Sequence, residues 1–205
     1  MNLAQINMDH DYERLKQVKS SDKPLLTFYE WGGPALTYGY FVDPDDFLVK
    51  NSFQMGRRPT GGGILFHTID CAFSLIIPSG HEKLSINTLD NYRLVNGLIK
   101  DALNSLGFKV ELLETGCSNL RFCMAKPTVY DLVIEGKKGV GAAQRRSKEG
   151  LLHQGSIAMR LPGPKEKAAL KDDRLYELMC KETYPIDVDL LRLKKAITDS
   201  IKDNL

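Results

Sequence analysis

The sequence predicts an α+β protein with a mixed or antiparallel β-sheet flanked by helices. Three observations lead there. Short β-like runs dominate residues 25–159, helical periodicity is concentrated in one stretch near residue 90 and in the region after residue 165, and 205 residues suffice for one domain with a sizeable core.

In chain order, Leu25 to Phe41 (LLTFYEWGGPALTYGYF) reads as two short β segments around a Gly-Gly-Pro turn. Ile64 to Ile77 gives two more runs, ILFH and AFSLII, across a short polar break. Leu89 to Leu106 is the clearest helix. Tyr92, Val95, Leu98, Ile99, Ala102, Leu103 and Leu106 recur at helical spacing, and Gly107 follows as a C-cap. Phe108 to Leu112 alternates as an amphipathic strand does. Tyr130 to Glu135, a Gly-Lys-Lys turn and Gly141 to Gln144 predict a hairpin, and Gly155 to Met159 a further strand. Beyond Lys165 the pattern turns helical, with Leu190, Leu193, Ile197 and Ile201 on one stripe. The expected organisation is a single catalytic unit over 1–205, with a motif-bearing core at about 5–160 and a helical C-terminal tail at 163–205.

Composition narrows the function classes. Apolar residues make up 42% and charged residues 26%, and the formal net charge is +2, so bulk charge points neither to nucleic acid nor to an anionic membrane. No run approaches the length of a membrane span, and the polar N-terminus does not read as an export signal. The four cysteines, Cys71, Cys117, Cys123 and Cys180, lack metal-site spacing, so no metal ligands are assigned and reduced thiols in a cytoplasm are expected.

The stretch Gly56 to His67, GRRPTGGGILFH, sets three glycines beside two arginines. Bare backbone admits a ligand closely, and amide N–H groups there can meet anionic or carbonyl oxygens. Arg57 and Arg58 offer fork-shaped donors to a phosphate or carboxylate. No Gly-Lys-Ser/Thr follows, so the stretch is not a P-loop, and it lacks dinucleotide-binding spacing. Taken alone, the same residues equally describe a glycine-rich turn with solvated arginines. A second stretch, Asp131 to Ser156, places Lys137 and Lys138 beside Gly139, Gly141, Ala142 and Ala143, again a cation next to closely approachable backbone.

Together the two stretches resemble the family of lipoate–protein ligases, lipoyl/octanoyl transferases and biotin–protein ligases. The resemblance rests on Arg57, Arg58, Thr60, Gly61, Gly62, Gly63 and His67, then Gly136, Lys138, Gly141, Ala142, Ala143, Gly155 and Ser156, in that order along the chain. It implies a sheet-based domain that places a medium-chain acyl group on a lysine of a lipoyl carrier domain. The glycine-rich loop would line the acyl pocket, and Lys138 would touch the acyl carbonyl. The biotin branch fits less well, because its Gly-Arg-Gly-Arg loop is replaced here by Gly56-Arg57-Arg58-Pro59-Thr60.

Two chemistries share this family. One octanoyltransferase branch has a Cys-x-x-x-Pro-Ser/Thr-x-Tyr-Glu/Asp-Leu segment with a nucleophilic cysteine, and Cys123 to Leu132, CMAKPTVYDL, resembles it. The resemblance implies Cys123 as nucleophile, with Lys138 favouring its thiolate. Read without it, Cys123 is a small apolar core residue. Asp70, three residues after His67, agrees with the transferase pattern, and the residues after Leu161 read as helices rather than a ligase's accessory domain. His153 stands one residue earlier than the family's His-Gly pair, since Gln154 directly precedes Gly155. The implied function is cysteine-dependent octanoyl or lipoyl transfer without a cofactor; the alternatives are an ATP- and Mg-dependent lipoate–protein ligase or a non-catalytic lipoyl-domain binder. Implied partners are lipoyl carrier domains (2-oxoacid dehydrogenase E2 or glycine-cleavage H-type protein) and an acyl carrier donor, with no nucleic acid and no membrane.

Overall fold

The computed structural model describes residues 1–68, 70–113 and 129–205. Its centre is a six-stranded antiparallel sheet in the order β1-β5-β9-β8-β7-β6. These strands are β1 (Leu25–Phe28), β5 (Asp70–Pro78), β6 (Glu111–Leu112), β7 (Leu132–Ile134), β8 (Lys137–Arg146) and β9 (Gly150–Ala158). A smaller mixed sheet, order β3-β2-β4, holds β2 (Ala35–Tyr38) parallel to β3 (Gln54–Arg57) and antiparallel to β4 (Ile64–His67). The predicted α+β class holds. The two runs flanking the Gly-Gly-Pro turn are both strands, yet they enter different sheets instead of pairing with each other.

Alternation along the long strands sorts their side chains onto two faces. Cys71, Phe73, Leu75 and Ile77 of β5, with Leu151 and Ile157 of β9, join the main core beneath α2 (Thr88–Ser105) and α5 (Leu190–Asn204). The other face carries Ser74, Ile76, Leu152, Gln154 and Ser156, and here α1 (Leu3–Gln17) and the small sheet pack. Within α1 the buried positions Ala4, Met8, Asp11 and Leu15 form one helical stripe. The helix lies so close to β3 that a Cβ on Gly56 would stand 2.6 Å from the Ala4 carbonyl oxygen.

The C-terminal helices are integral to the structure. Leu193, Ile197 and Ile201 of α5 complete the main core. Ala169, at the end of α3 (Pro164–Ala169), Leu170 after it and Met179 of α4 (Asp173–Glu182) join Leu36, Ile64 and Phe66 of the small sheet in a second cluster.

The β7–β8 hairpin departs from its expected turn. The loop residues are Glu135 and Gly136, both with positive φ (51° and 74°), as a two-residue primed turn requires. Lys137 and Lys138 therefore lie in β8 rather than in the turn. The register shifts between Leu132 and Val133, because Val133 pairs with Lys138 and Leu132 with Val140, leaving Gly139 as an extra residue. That bulge puts Lys138 and Gly141 on one face, although three residues apart they would otherwise point to opposite ones.

Candidate active site

Between the large sheet, the small sheet and the C-terminal segment lies a cleft with about 930 Å³ of space, its open mouth included. Lys138 lies against it, 9% exposed. Its Nζ donates to Asp131 Oδ2 at 2.6 Å, and both side chains are nearly fully buried. Gly141 lets the lysine lie there, since an added Cβ would stand 2.7 Å from Lys138 Cε and 3.0 Å from Nζ.

A second polar group also lines the cleft. His67, at the end of β4, places Nδ1 2.7 Å from Asp70 Oδ2 and Nε2 2.7 Å from Thr37 Oγ1, and its ring stacks on Trp31 with centroids 4.1 Å apart. Ser156 Oγ donates to the same Asp70 oxygen at 2.6 Å. Thr37 Oγ1 accepts from Arg58 Nη1 at 2.7 Å, so its own proton can go to His67 Nε2.

Of the residues singled out from sequence, Arg58, His67, Lys138, Gly141, Ala142 and Gly155 line this cleft. Arg57, Thr60, Gly61, Gly62 and Gly63 do not. The reason is Arg58. It is 5% exposed, and its guanidinium donates to the carbonyls of Gly61 (3.1 Å) and Gly63 (2.6 Å) as well as to Thr37, folding the loop around itself. Gly62 closes that turn with φ 86° and lies against Gly39, where a Cβ would come within 1.9 Å of the Gly62 carbonyl oxygen. The glycines thus shape the cleft by seating Arg58. Arg57 turns to the surface, where its guanidinium bonds the Tyr40 carbonyl (2.6 Å) and covers the Tyr40 ring (4.3 Å).

Thr60 instead reaches a buried polar network that sequence reasoning missed. Its hydroxyl donates to Gln154 Oε1 at 2.7 Å, and Gln154 Nε2 donates to Asp11 Oδ2 at 2.8 Å and to the Tyr29 hydroxyl at 2.9 Å. Ser74 donates to Asp11 Oδ1 at 2.8 Å, and Tyr29 donates to Asp11 Oδ2. Burial pushes the Asp11 carboxyl above its usual value, against the opposing pull of the hydrogen bonds from Tyr29, Ser74 and Gln154. Burial likewise raises the Tyr29 hydroxyl well above its ordinary value, helped by the adjacent Asp11 charge. The sequence signal was present in part, as the departure from a His-Gly pair at Gln154.

The other titratable groups have defined settings. His153 is fully buried on the α2 side of the sheet, bonded through Nδ1 to Gln144 and set between the rings of Phe73 and Tyr92. Desolvation lowers its pKa to about 3, so it is neutral and takes no part in the cleft. Cys71 faces the main core, where burial, followed by the Asp70 charge, raises its pKa to about 12 and removes it as a nucleophile. Cys180 is half-buried near the Pro162 carbonyl. Cys123 and Cys117 lie outside the described residues.

The fold is similar to that of solved lipoate protein ligases. It covers 98% of its length on 80% of a bi-partite lipoate protein ligase solved with its E2 lipoyl domain from Thermoplasma acidophilum, with a TM-score of 0.77 and 22% identity. A lipoate-protein ligase A bound with ATP gives the same TM-score and identity over 96% of this chain and 78% of that one. Residues 4–201 match the lipoyl protein ligase A/B catalytic domain, and the chain belongs to that family. In sequence it is 32% identical over 152 residues to the octanoyltransferase LipM of Bacillus cereus and 35% identical over 169 residues to that of Oceanobacillus iheyensis. Those matches take in 67% and 77% of this chain but 55% and 61% of the relatives, so it spans little more than half their length.

Proposed function

We propose that this chain transfers an octanoyl or lipoyl group to a lysine of a lipoyl carrier domain by way of a Cys123 thioester. The observation that carries the reading is the buried Lys138–Asp131 pair opening onto a cleft lined largely by apolar and small residues, where a carbonyl oxygen can meet Nζ. Support also comes from the LipM relatives, which are named as octanoyltransferases.

The residues divide the work as follows. The Cys123 thiolate adds to the acyl carbonyl of a carrier thioester, the carbonyl electron pair moves onto oxygen, and Lys138 Nζ donates to that oxygen. The adduct collapses with loss of the carrier thiolate, leaving the acyl group on Cys123. The amine of the target lysine then attacks the thioester, releases the Cys123 thiolate and sheds a proton to give the amide. His67, fixed between Thr37 and Asp70 and stacked on Trp31, forms a rigid wall for the acyl chain. No cofactor is required, the chain acts as one catalytic unit, and the reduced thiol this chemistry needs suits the cytoplasm. The target is the lipoyl domain of a 2-oxoacid dehydrogenase E2 or an H-type protein.

Intact mass after incubation with octanoyl-carrier protein tests this. An octanoyl adduct present in the wild type and lost in Cys123→Ala is expected. If no adduct forms, and ATP with lipoate modifies a lipoyl domain even in Cys123→Ala, the chain is a ligase and the transferase reading falls.

A further inference from the structure

Among the described residues, three buried polar atoms on side chains lining the cleft find no hydrogen-bond partner: Asp70 Oδ1, Arg160 Nε and Thr183 Oγ1. Buried polar groups are nearly always satisfied, so an orphan at a ligand cleft marks a bond for the ligand to complete. Thr183 is the most deeply buried of the three. It is 1% exposed, and its backbone N–H donates to the Met179 carbonyl at 3.1 Å. The next residue, Tyr184, donates its N–H to the Lys138 carbonyl at 2.9 Å, and Thr183 pairs with Lys138 in a lone parallel bridge. The hydroxyl and the lysine therefore open on the same cleft from adjoining segments. An oxygen that meets the Lys138 ammonium is a hydrogen-bond acceptor, and the Thr183 hydroxyl is the neighbouring group with an unused donor.

We propose that Thr183 donates its hydroxyl hydrogen to the acyl carbonyl oxygen beside Lys138 Nζ, so that the C-terminal segment supplies half of the oxyanion site. The assignment rests on the acyl-transfer reading above. When the nucleophile adds to the carbonyl carbon, the π pair moves onto oxygen, and two donors meet the resulting negative charge. Collapse restores the carbonyl and expels the donor's leaving group; Thr183 keeps its proton throughout and forms no covalent bond.

Thr183→Val removes the hydroxyl at nearly constant volume, and Thr183→Ser retains it. Turnover of octanoyl-carrier onto a lipoyl domain, thermal stability, and calorimetric binding of octanamide, a stable carbonyl ligand, are compared for the three proteins. In T183V, turnover at saturating donor falls by about 10²-fold, the loss typical of one oxyanion donor. Octanamide binds more weakly, Tm is unchanged or higher because an orphaned hydroxyl has gone, and T183S restores most of the rate. Wild-type turnover in T183V, or an equal loss in T183S, overturns the assignment while leaving acyl transfer standing. A parallel loss of turnover and Tm in T183V would make Thr183 merely structural and also overturns it. A wild-type protein that neither transfers the octanoyl group nor binds octanamide refutes the acyl-transfer reading itself, and the assignment with it.

Discussion

Replacing Gly141 by alanine would set a methyl group 2.7 Å from Lys138 Cε and 3.0 Å from Nζ, where ordinary contact begins at 3.4 Å. To regain ordinary contact the lysine must retreat by about 0.7 Å. The yielding atoms are the flexible end of a long side chain, so the stability cost stays in the range of mild overpacking, about 1–3 kcal/mol. The consequence for chemistry is larger. Nζ is fixed 2.6 Å from Asp131, and a displacement of that size takes it off its carboxylate partner and, in the proposed reaction, off the acyl carbonyl. Misplacement on that scale costs on the order of 10²-fold in rate. Octanoyl transfer to a lipoyl domain, measured at saturating donor alongside thermal unfolding, should show turnover down about 10²-fold with Tm lowered by only a few degrees. Wild-type turnover in G141A would refute the reasoning, because it would mean that the seat of Lys138 does not govern the reaction.

Further perturbations follow from the same geometry. Arg58→Lys removes a fork that bonds Thr37 and the carbonyls of Gly61 and Gly63; at least one buried acceptor is stranded, and urea unfolding should show a loss of about 1–3 kcal/mol. His153 has its folded pKa lowered from 6.5 to about 3, so its contribution to stability is complete above pH 6.5 and is lost as pH falls toward 3. Between pH 7.5 and 5 that amounts to about 2 kcal/mol, which chemical denaturation should find in the wild type and not in His153→Phe. Asp11, shifted upward, works in the opposite sense, but it is common to both proteins and cancels in the comparison. Cys71, with its pKa near 12 in the core, should resist iodoacetamide in the native protein at pH 8, and peptide mapping should find it labelled only after unfolding.

What was legible in the sequence depended on whether local pattern and tertiary role agreed. Helix α2 is amphipathic throughout, with Val95, Leu98, Ile99, Ala102 and Leu103 buried as the periodicity requires. The pairing of a glycine-rich stretch with a later lysine was legible as motif, and Arg58, His67 and Lys138 meet at one cleft. Strand β3 was illegible, since Gln54-Met55-Gly56-Arg57 has no alternation and is a strand because β2 lies beside it and α1 covers it. The hairpin turn ends two residues earlier than expected, because a Gly-Lys-Lys run reads as a turn, whereas left-handed backbone at Glu135 and Gly136 makes the reversal earlier. That small displacement decides between a solvated lysine and a buried one. Thr183 left no local trace, because its placement depends on a bridge to a strand 45 residues upstream.

The unread helix and the motif departure at Gln154 meet in one hydrogen-bond network. Helix α1 hides from periodicity because its buried stripe is Ala4, Met8, Asp11 and Leu15, with a carboxylate where an apolar residue would announce the face. That carboxylate accepts from Tyr29, Ser74 and Gln154 together. Position 154 must therefore donate to Asp11 with one end while its other end accepts from Thr60. A glutamine amide does both at any pH, whereas an imidazole there would gain a proton in acid and lose its acceptor. Gln154, standing where a histidine was expected before Gly155, meets both demands beside the buried Asp11. Through Thr60 the same amide ties the N-terminal helix to the loop that seats Arg58.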